Sequence, residues 1–125
     1  MKKEDFIYND NFEAPLSGTS HWESPNNIAL VKYWGKSDIQ IPKNTSISFT
    51  LNKCLTNTKL DFSKKKNNSE FVDFDIYFNE QLKLDFKPKI QSFFERILKY
   101  CPYILYYKFK INTSNTFPHS SGIAS

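Results

Sequence analysis

Ser24-Pro25-Asn26-Asn27-Ile28-Ala29-Leu30-Val31-Lys32-Tyr33-Trp34-Gly35-Lys36 is the most informative stretch of this 125-residue chain. An apolar run from Ile28 to Val31 leads without a break into two lysines, two aromatics and a glycine within five positions. A strand that only packs has no use for Lys-Tyr-Trp-Gly-Lys. The cluster suits a cavity wall, where ammonium groups meet an anionic ligand and ring edges shape the space. Packing offers a plainer account, with Tyr33 and Trp34 in a core and both lysines snorkelling to water. Composition alone leaves both readings open.

Two further blocks follow in order. Ile41-Pro42-Lys43-Asn44-Thr45-Ser46-Ile47-Ser48-Phe49-Thr50-Leu51 alternates, with Ile47, Phe49 and Leu51 on one face and Ser46, Ser48 and Thr50 on the other. That is a strand pattern. The hydroxyls of Thr45, Ser46 and Ser48 could serve a ligand or simply face water, and Asn44-Thr45 reads as a turn. The third block is Asn115-Thr116-Phe117-Pro118-His119-Ser120-Ser121-Gly122-Ile123-Ala124-Ser125. Here a small-residue loop enters what reads as a helix start, so backbone N–H groups can close around an anion. Alone, such a loop is weak evidence.

Together the blocks resemble diphosphomevalonate decarboxylases. That family's N-I-A-x-x-K-Y-W-G-K stands here as residues 27–36, and its L-P-x-N-x-S-[IL]-S-x-T-L resembles residues 41–51. Its N-N-F-P-x-x-x-G-[LI]-A-S-S resembles residues 115–125, with His119, Ser120 and Ser121 where Thr-Ala-Ala is common in eukaryotic members. The resemblance implies an α+β fold, the GHMP-kinase N-terminal domain, ribosomal protein S5 domain 2-like. It implies catalytic roles for Asn27 and Lys32 and substrate-binding roles for Tyr33, Trp34 and Lys36, with Tyr33 and Lys36 contacting the diphosphate. Ser120, Ser121, Gly122, Ile123, Ala124 and Ser125 would cradle ATP phosphates. His119 reads as a surface loop residue.

The implied reaction is ATP-dependent phosphorylation and decarboxylation of mevalonate diphosphate to isopentenyl diphosphate, with ATP and Mg2+. Phosphorylation of the tertiary 3-hydroxyl creates a leaving group, and its loss with CO2 leaves the alkene. A related kinase that phosphorylates a mevalonate derivative without decarboxylation is the nearest alternative, and a non-catalytic short protein is another. The family's catalytic aspartate and substrate-binding arginine are expected beyond residue 125. The chain is therefore expected to be an N-terminal fragment, inactive alone, from an enzyme that is cytoplasmic and homodimeric.

Bulk properties agree and exclude little else. A net charge of +4 allows an anionic ligand but is too mild and spread out for nucleic acid. Lys64-Lys65-Lys66 reads as a solvated hairpin loop. Cys54 and Cys101 lack metal spacing and read as reduced thiols. No metal-ligating set is expected, His21 and His119 being the only histidines. Neither an export signal nor an 18-residue apolar run is present in the sequence, so no membrane role is expected.

Along the chain, residues 1–20 read as a polar tail and 21–125 as one incomplete domain. A short strand is expected around His21-Trp22-Glu23-Ser24, ending at Pro25. Others are expected over residues 46–51 and 58–62, and a hairpin turns at Asn79-Glu80-Gln81 between residues 72–78 and 82–86. The strands read as antiparallel. Ile90, Phe93, Phe94, Ile97 and Leu98 form a helical stripe opened by Pro88 and closed before Pro102. Leu105, Tyr107, Phe109 and Ile111 then mark the clearest strand, whose apolar face is expected to lack part of its cover.

Overall fold

Between Asp73 and Phe78 the side chains alternate as the sequence demands, Phe74 and Ile76 turning inward while Asp73 stays in water. The computed structural model describes residues 2–8, 13–38, 41–67 and 69–122. Its elements run β1 (Ser17–Val31), β2 (Lys36–Ser37), β3 (Ile41–Pro42), β4 (Ile47–Lys64), β5 (Asp73–Phe78), β6 (Gln81–Leu82), α1 (Lys87–Ile97) and β7 (Tyr107–Asn115). Single 3-10 turns occupy Lys3–Phe6, Leu84–Phe86 and Pro102–Tyr106. Five strands form a sheet in the order β1-β4-β7-β5-β6, and β2 pairs with β3 apart from it. The α+β expectation is met.

The chain forms two compact units. Unit 1 comprises Met1–His21 and Thr58–Thr113; unit 2 comprises Trp22–Asn57 and Ser114–Ser125. Unit 1 holds the apolar core: Val72, Phe74, Ile76, Phe94, Ile104, Tyr107 and Phe109 are all buried. Aromatic rings knit it together. Phe94 stacks on Phe109 with centroids 6.0 Å apart and lies 5.1 Å from Phe74, while Phe62 meets Tyr107 edge-on at 5.3 Å. Such pairs add about 0.5–1.5 kcal/mol each beyond burial.

The helix starts with Pro88 in its first turn and buries Ile90, Phe94 and Ile97 toward the core. Phe93 falls at the edge of the stripe and is half in water. The expected hairpin at residues 79–80 is present, with Phe78 opposite Gln81. Asn79 and Glu80 both have positive φ, 50° and 65°, the left-handed pair that a two-residue hairpin loop requires.

Several expectations change. Residues 47–51 and 58–62 belong to one long strand, β4, and β1 runs through Pro25. Pro25 is tolerated because β1 is an edge strand, where a missing N–H need break no ladder. β5 and β7 are parallel, pairing Phe74 with Phe109 and Ile76 with Ile111. The segment carrying β6 and α1 supplies the long connection that parallel strands need. Lys64, Lys65 and Lys66 do not close a hairpin, since β7 lies between β4 and β5. Leu105 sits in a 3-10 turn, and the strand after it extends to Asn115. Tyr107 and Phe109 are buried, not bare, because α1 and Ile104 cover them.

The described part of residues 1–20 is docked rather than loose. Tyr8 N donates to Tyr100 O at 2.9 Å, Tyr107 Oη donates to Pro15 O at 3.0 Å, and Ala14 packs on the core. Gly18 is required for a close approach: a Cβ there would lie 2.5 Å from the Phe62 ring.

Candidate functional site

In unit 2 the apolar run of β1 ends at Val31, and the chain turns through Lys32-Tyr33-Trp34-Gly35 into β2. This turn is pinned from the second block. Trp34 N donates to Asn44 Oδ1 at 2.6 Å, and Lys43 N donates to Gly35 O at 3.0 Å. Pairing of Lys36 with Pro42 and Ser37 with Ile41 completes the clasp. Asn44 is therefore more than a turn residue; it holds the shape of the lysine-aromatic loop.

The third block is fixed by a threonine. Thr116 N donates to Leu55 O at 2.9 Å, its hydroxyl donates to Lys53 O at 2.8 Å, and that hydroxyl accepts from Leu55 N at 2.9 Å. Beyond it, Ser120 has φ 64° and Gly122 φ 81°. Nothing crowds the position of a Gly122 Cβ, so the glycine is there for its backbone. A non-glycine residue held left-handed, as at Ser120, marks a loop whose shape is over-determined by its surroundings. Consecutive N–H groups in such a turn make a concave anion site.

Both blocks open onto one cavity of about 780 Å³. Its wall includes Asn27, Lys32 and Tyr33 from the first block, Ser46 and Ser48 from the second, and His119, Ser120 and Gly122 from the third. Ala29, Asn115 and Phe117 complete it. The described wall carries the Lys32 ammonium and no carboxylate, which favours an anionic guest. A second cavity, about 250 Å³ in unit 1, is walled by Leu60, Phe62, Phe94, Ile104 and Phe109 and offers no cation.

Of the site residues expected from sequence, Asn27, Lys32, Tyr33, Ser120 and Gly122 share the cavity wall. Trp34 points to water, 93% exposed. Lys36 is outside the wall, its ammonium 5.3 Å from the centre of the Tyr33 ring, a cation–π contact that ties it to the wall indirectly. Ser121 does not line the cavity. Ile123, Ala124 and Ser125 lie outside the described residues. Sequence reasoning took His119 as a plain surface residue and passed over Asn115 and Phe117; their only signal was membership of the third block.

Among the described residues, no group of three or more His, Cys, Asp or Glu could hold a metal ion. The described cavity wall contributes no carboxylate that could ligate magnesium. The loop of Ser120 and Gly122 does suit phosphate oxygens, through hydroxyl and backbone donors.

The family model for the diphosphomevalonate decarboxylase-like N-terminal domain matches residues 24–125. The chain belongs to this family. The rat diphosphomevalonate decarboxylase is 29% identical over 116 residues, covering 82% of this chain and 28% of its own length. The solved mevalonate diphosphate decarboxylase of Staphylococcus aureus superposes with a TM-score of 0.67 at 29% identity, over 87% of this chain and 32% of that one. The Enterococcus faecalis enzyme, solved in a study of mevalonate diphosphate mediated ATP binding, gives 0.65 at 27%, over 88% and 32%. A further structure of equal similarity is a complex with MVAPP, AMPPCP and magnesium. The fold is the GHMP-kinase N-terminal fold, and the chain spans about a third of the length of these relatives. Among the described residues no helix is long and apolar enough to cross a membrane.

Proposed function

We propose that this chain is the N-terminal part of a diphosphomevalonate decarboxylase. It would contribute to ATP-dependent phosphorylation and decarboxylation of mevalonate diphosphate to isopentenyl diphosphate. The observation that carries the reading is the convergence of the Lys32-Tyr33 turn and the Ser120–Gly122 loop on one acid-free cavity. Phosphoryl donor and acceptor must meet within a few ångströms, so a shared cavity is what the chemistry needs. Magnesium would travel with the nucleotide phosphates, as the AMPPCP complex of the relative suggests.

In this reading Lys32 places a point charge against the diphosphate, Tyr33 donates a hydroxyl, and Asn27 orients the reacting end of the substrate. The Ser120 hydroxyl and the Gly122 N–H receive nucleotide phosphate oxygens. Lys36 acts through Tyr33 and by its long-range field. A cytoplasmic, homodimeric enzyme belongs to the same proposal.

The test is calorimetric titration of the chain with mevalonate diphosphate, mevalonate 5-phosphate and ATP. Mevalonate diphosphate should bind tightest of the two mevalonate compounds. Lys32→Ala removes one charge-assisted contact of about 1.5–3 kcal/mol, hence roughly 10- to 100-fold weaker binding. Lys36→Ala should cost less. Wild-type affinity in Lys32→Ala would remove the reading.

A further inference from the structure

Asn26 is the only buried polar residue among the described residues, 6% exposed. A buried amide has to be hydrogen-bonded, and this one is. Its Nδ2 donates to Cys54 O at 3.1 Å and to Thr56 Oγ1 at 2.9 Å. Having accepted that bond, the Thr56 hydroxyl has its own proton to give, and gives it to Asn115 Oδ1 at 2.9 Å. In the structure the relay runs one way: Asn26 donates, Thr56 passes on, Asn115 accepts. Three strands, β1, β4 and β7, each contribute one member.

The consequence falls on Asn115, which lines the large cavity. With its oxygen accepting from Thr56, the amide is held against a flip. The amino group, which has no partner among the described residues, is the polar atom left for a guest. Unheld, an asparagine at this position would offer either end.

We propose that Asn115 is a binding residue that presents its amino group to phosphate oxygens in this cavity. Asn26 and Thr56 are the positioning residues that hold it donor-side out. The proposal rests on the reading of the cavity as a site for phosphate-bearing molecules. Both the diphosphate of a substrate and the phosphates of a nucleotide offer the required acceptors.

Side-chain amide NMR on the 15N-labelled chain tests the relay without any ligand. The Asn26 NH2 should exchange slowly with water and the Asn115 NH2 rapidly. Protection of Asn115 equal to that of Asn26 would mean that its amino group, not its oxygen, faces Thr56, and would overturn the proposal. Mevalonate diphosphate and ATP are then titrated separately, and the Asn115 NH2 signals should move in at least one titration, which identifies the source of the phosphate. Asn115→Asp keeps the oxygen that accepts from Thr56 and replaces the donor by a second oxygen. It should weaken that ligand at least tenfold with an unchanged melting temperature. Thr56→Val should weaken it several-fold, and Thr56→Ser should restore wild-type affinity, a rescue that loss of packing would not give. If the ligand binds and Asn115→Asp binds it equally well, this proposal fails while the function stands. If neither ligand moves Lys32 or Ser120, both fail together.

Discussion

Residues 58–113 carry all seven buried apolar side chains of the described structure, from Val72 to Phe109. Residues 22–57 and 114–122 carry none, and what they bury is Asn26. Unit 1 is ordered by aromatic packing between a helix and a sheet. Unit 2 is ordered by hydrogen bonds: the Asn26–Thr56–Asn115 relay, the Thr116 clamp and the Asn44 clasp. The contrast extends to exposure. Phe74 is 1% exposed, while Leu30 in unit 2 is 71% exposed. A core must exclude water, whereas a site must keep polar atoms reachable and aimed, so directional bonds replace packing where a ligand is to be met.

The largest expected effect lies in unit 1. Phe74→Ala should cost about 3–5 kcal/mol by lost transfer energy and a cavity beside Phe94, read as a lowered urea midpoint. A loss under about 1 kcal/mol would show that the core is not where the stability resides. Next comes the hairpin loop. Glu80, at φ 65°, pays for a backbone that glycine adopts freely, so Glu80→Gly should raise stability by about 0.5–1 kcal/mol by the same denaturation assay. The Glu80 N–H bond to Asn112 is a backbone donation and survives the change.

Leu30→Ser in unit 2 sharpens the comparison from the other side. At a position this open, the melting curve should move by no more than about 0.5 kcal/mol. An effect approaching that of Phe74→Ala would erase the distinction between the units.

The smallest effect concerns Asp61. Thr19 Oγ1 donates to Asp61 Oδ1 at 2.6 Å, and the Lys59 ammonium lies 3.2 Å from Oδ2. The Thr19 hydroxyl first, then Lys59, holds the Asp61 carboxyl below the ordinary aspartate value. A carboxyl depressed in the folded state contributes stability above its unfolded value and loses it as pH falls through the folded one. The contribution therefore disappears only on the acid side, below about pH 4. Thr19→Val should raise the Asp61 midpoint in a carboxyl NMR titration; no rise would assign the shift to Lys59 instead.

How much of this was legible in sequence depends on the range of the force involved. The Ile90-Phe94-Ile97 stripe and the alternation through Phe74, Ile76, Tyr107 and Phe109 are local, and each named its element. The family blocks named the fold and marked Asn27, Lys32, Tyr33, Ser120 and Gly122 as candidates. Strand neighbours were not legible: β7 inserts between β4 and β5, which turned an expected hairpin into a crossover and an antiparallel pair into a parallel one. Alternation tells a side chain which face it takes, never which strand lies beside it.

The same limit applies to the site. Sequence alone determined which residues could carry the chemistry, because residue type and spacing along one segment are covalent facts. Tertiary structure alone decided which of them share a wall. It left Trp34 in water, put the Lys36 ammonium over the Tyr33 ring, and brought Asn115 to the cavity. It also joined Asn26 to Thr56, thirty residues apart, and Thr56 to Asn115, fifty-nine apart. A hydrogen bond acts over about 3 Å of space, and only the folded sheet brings residues so distant along the chain to that separation.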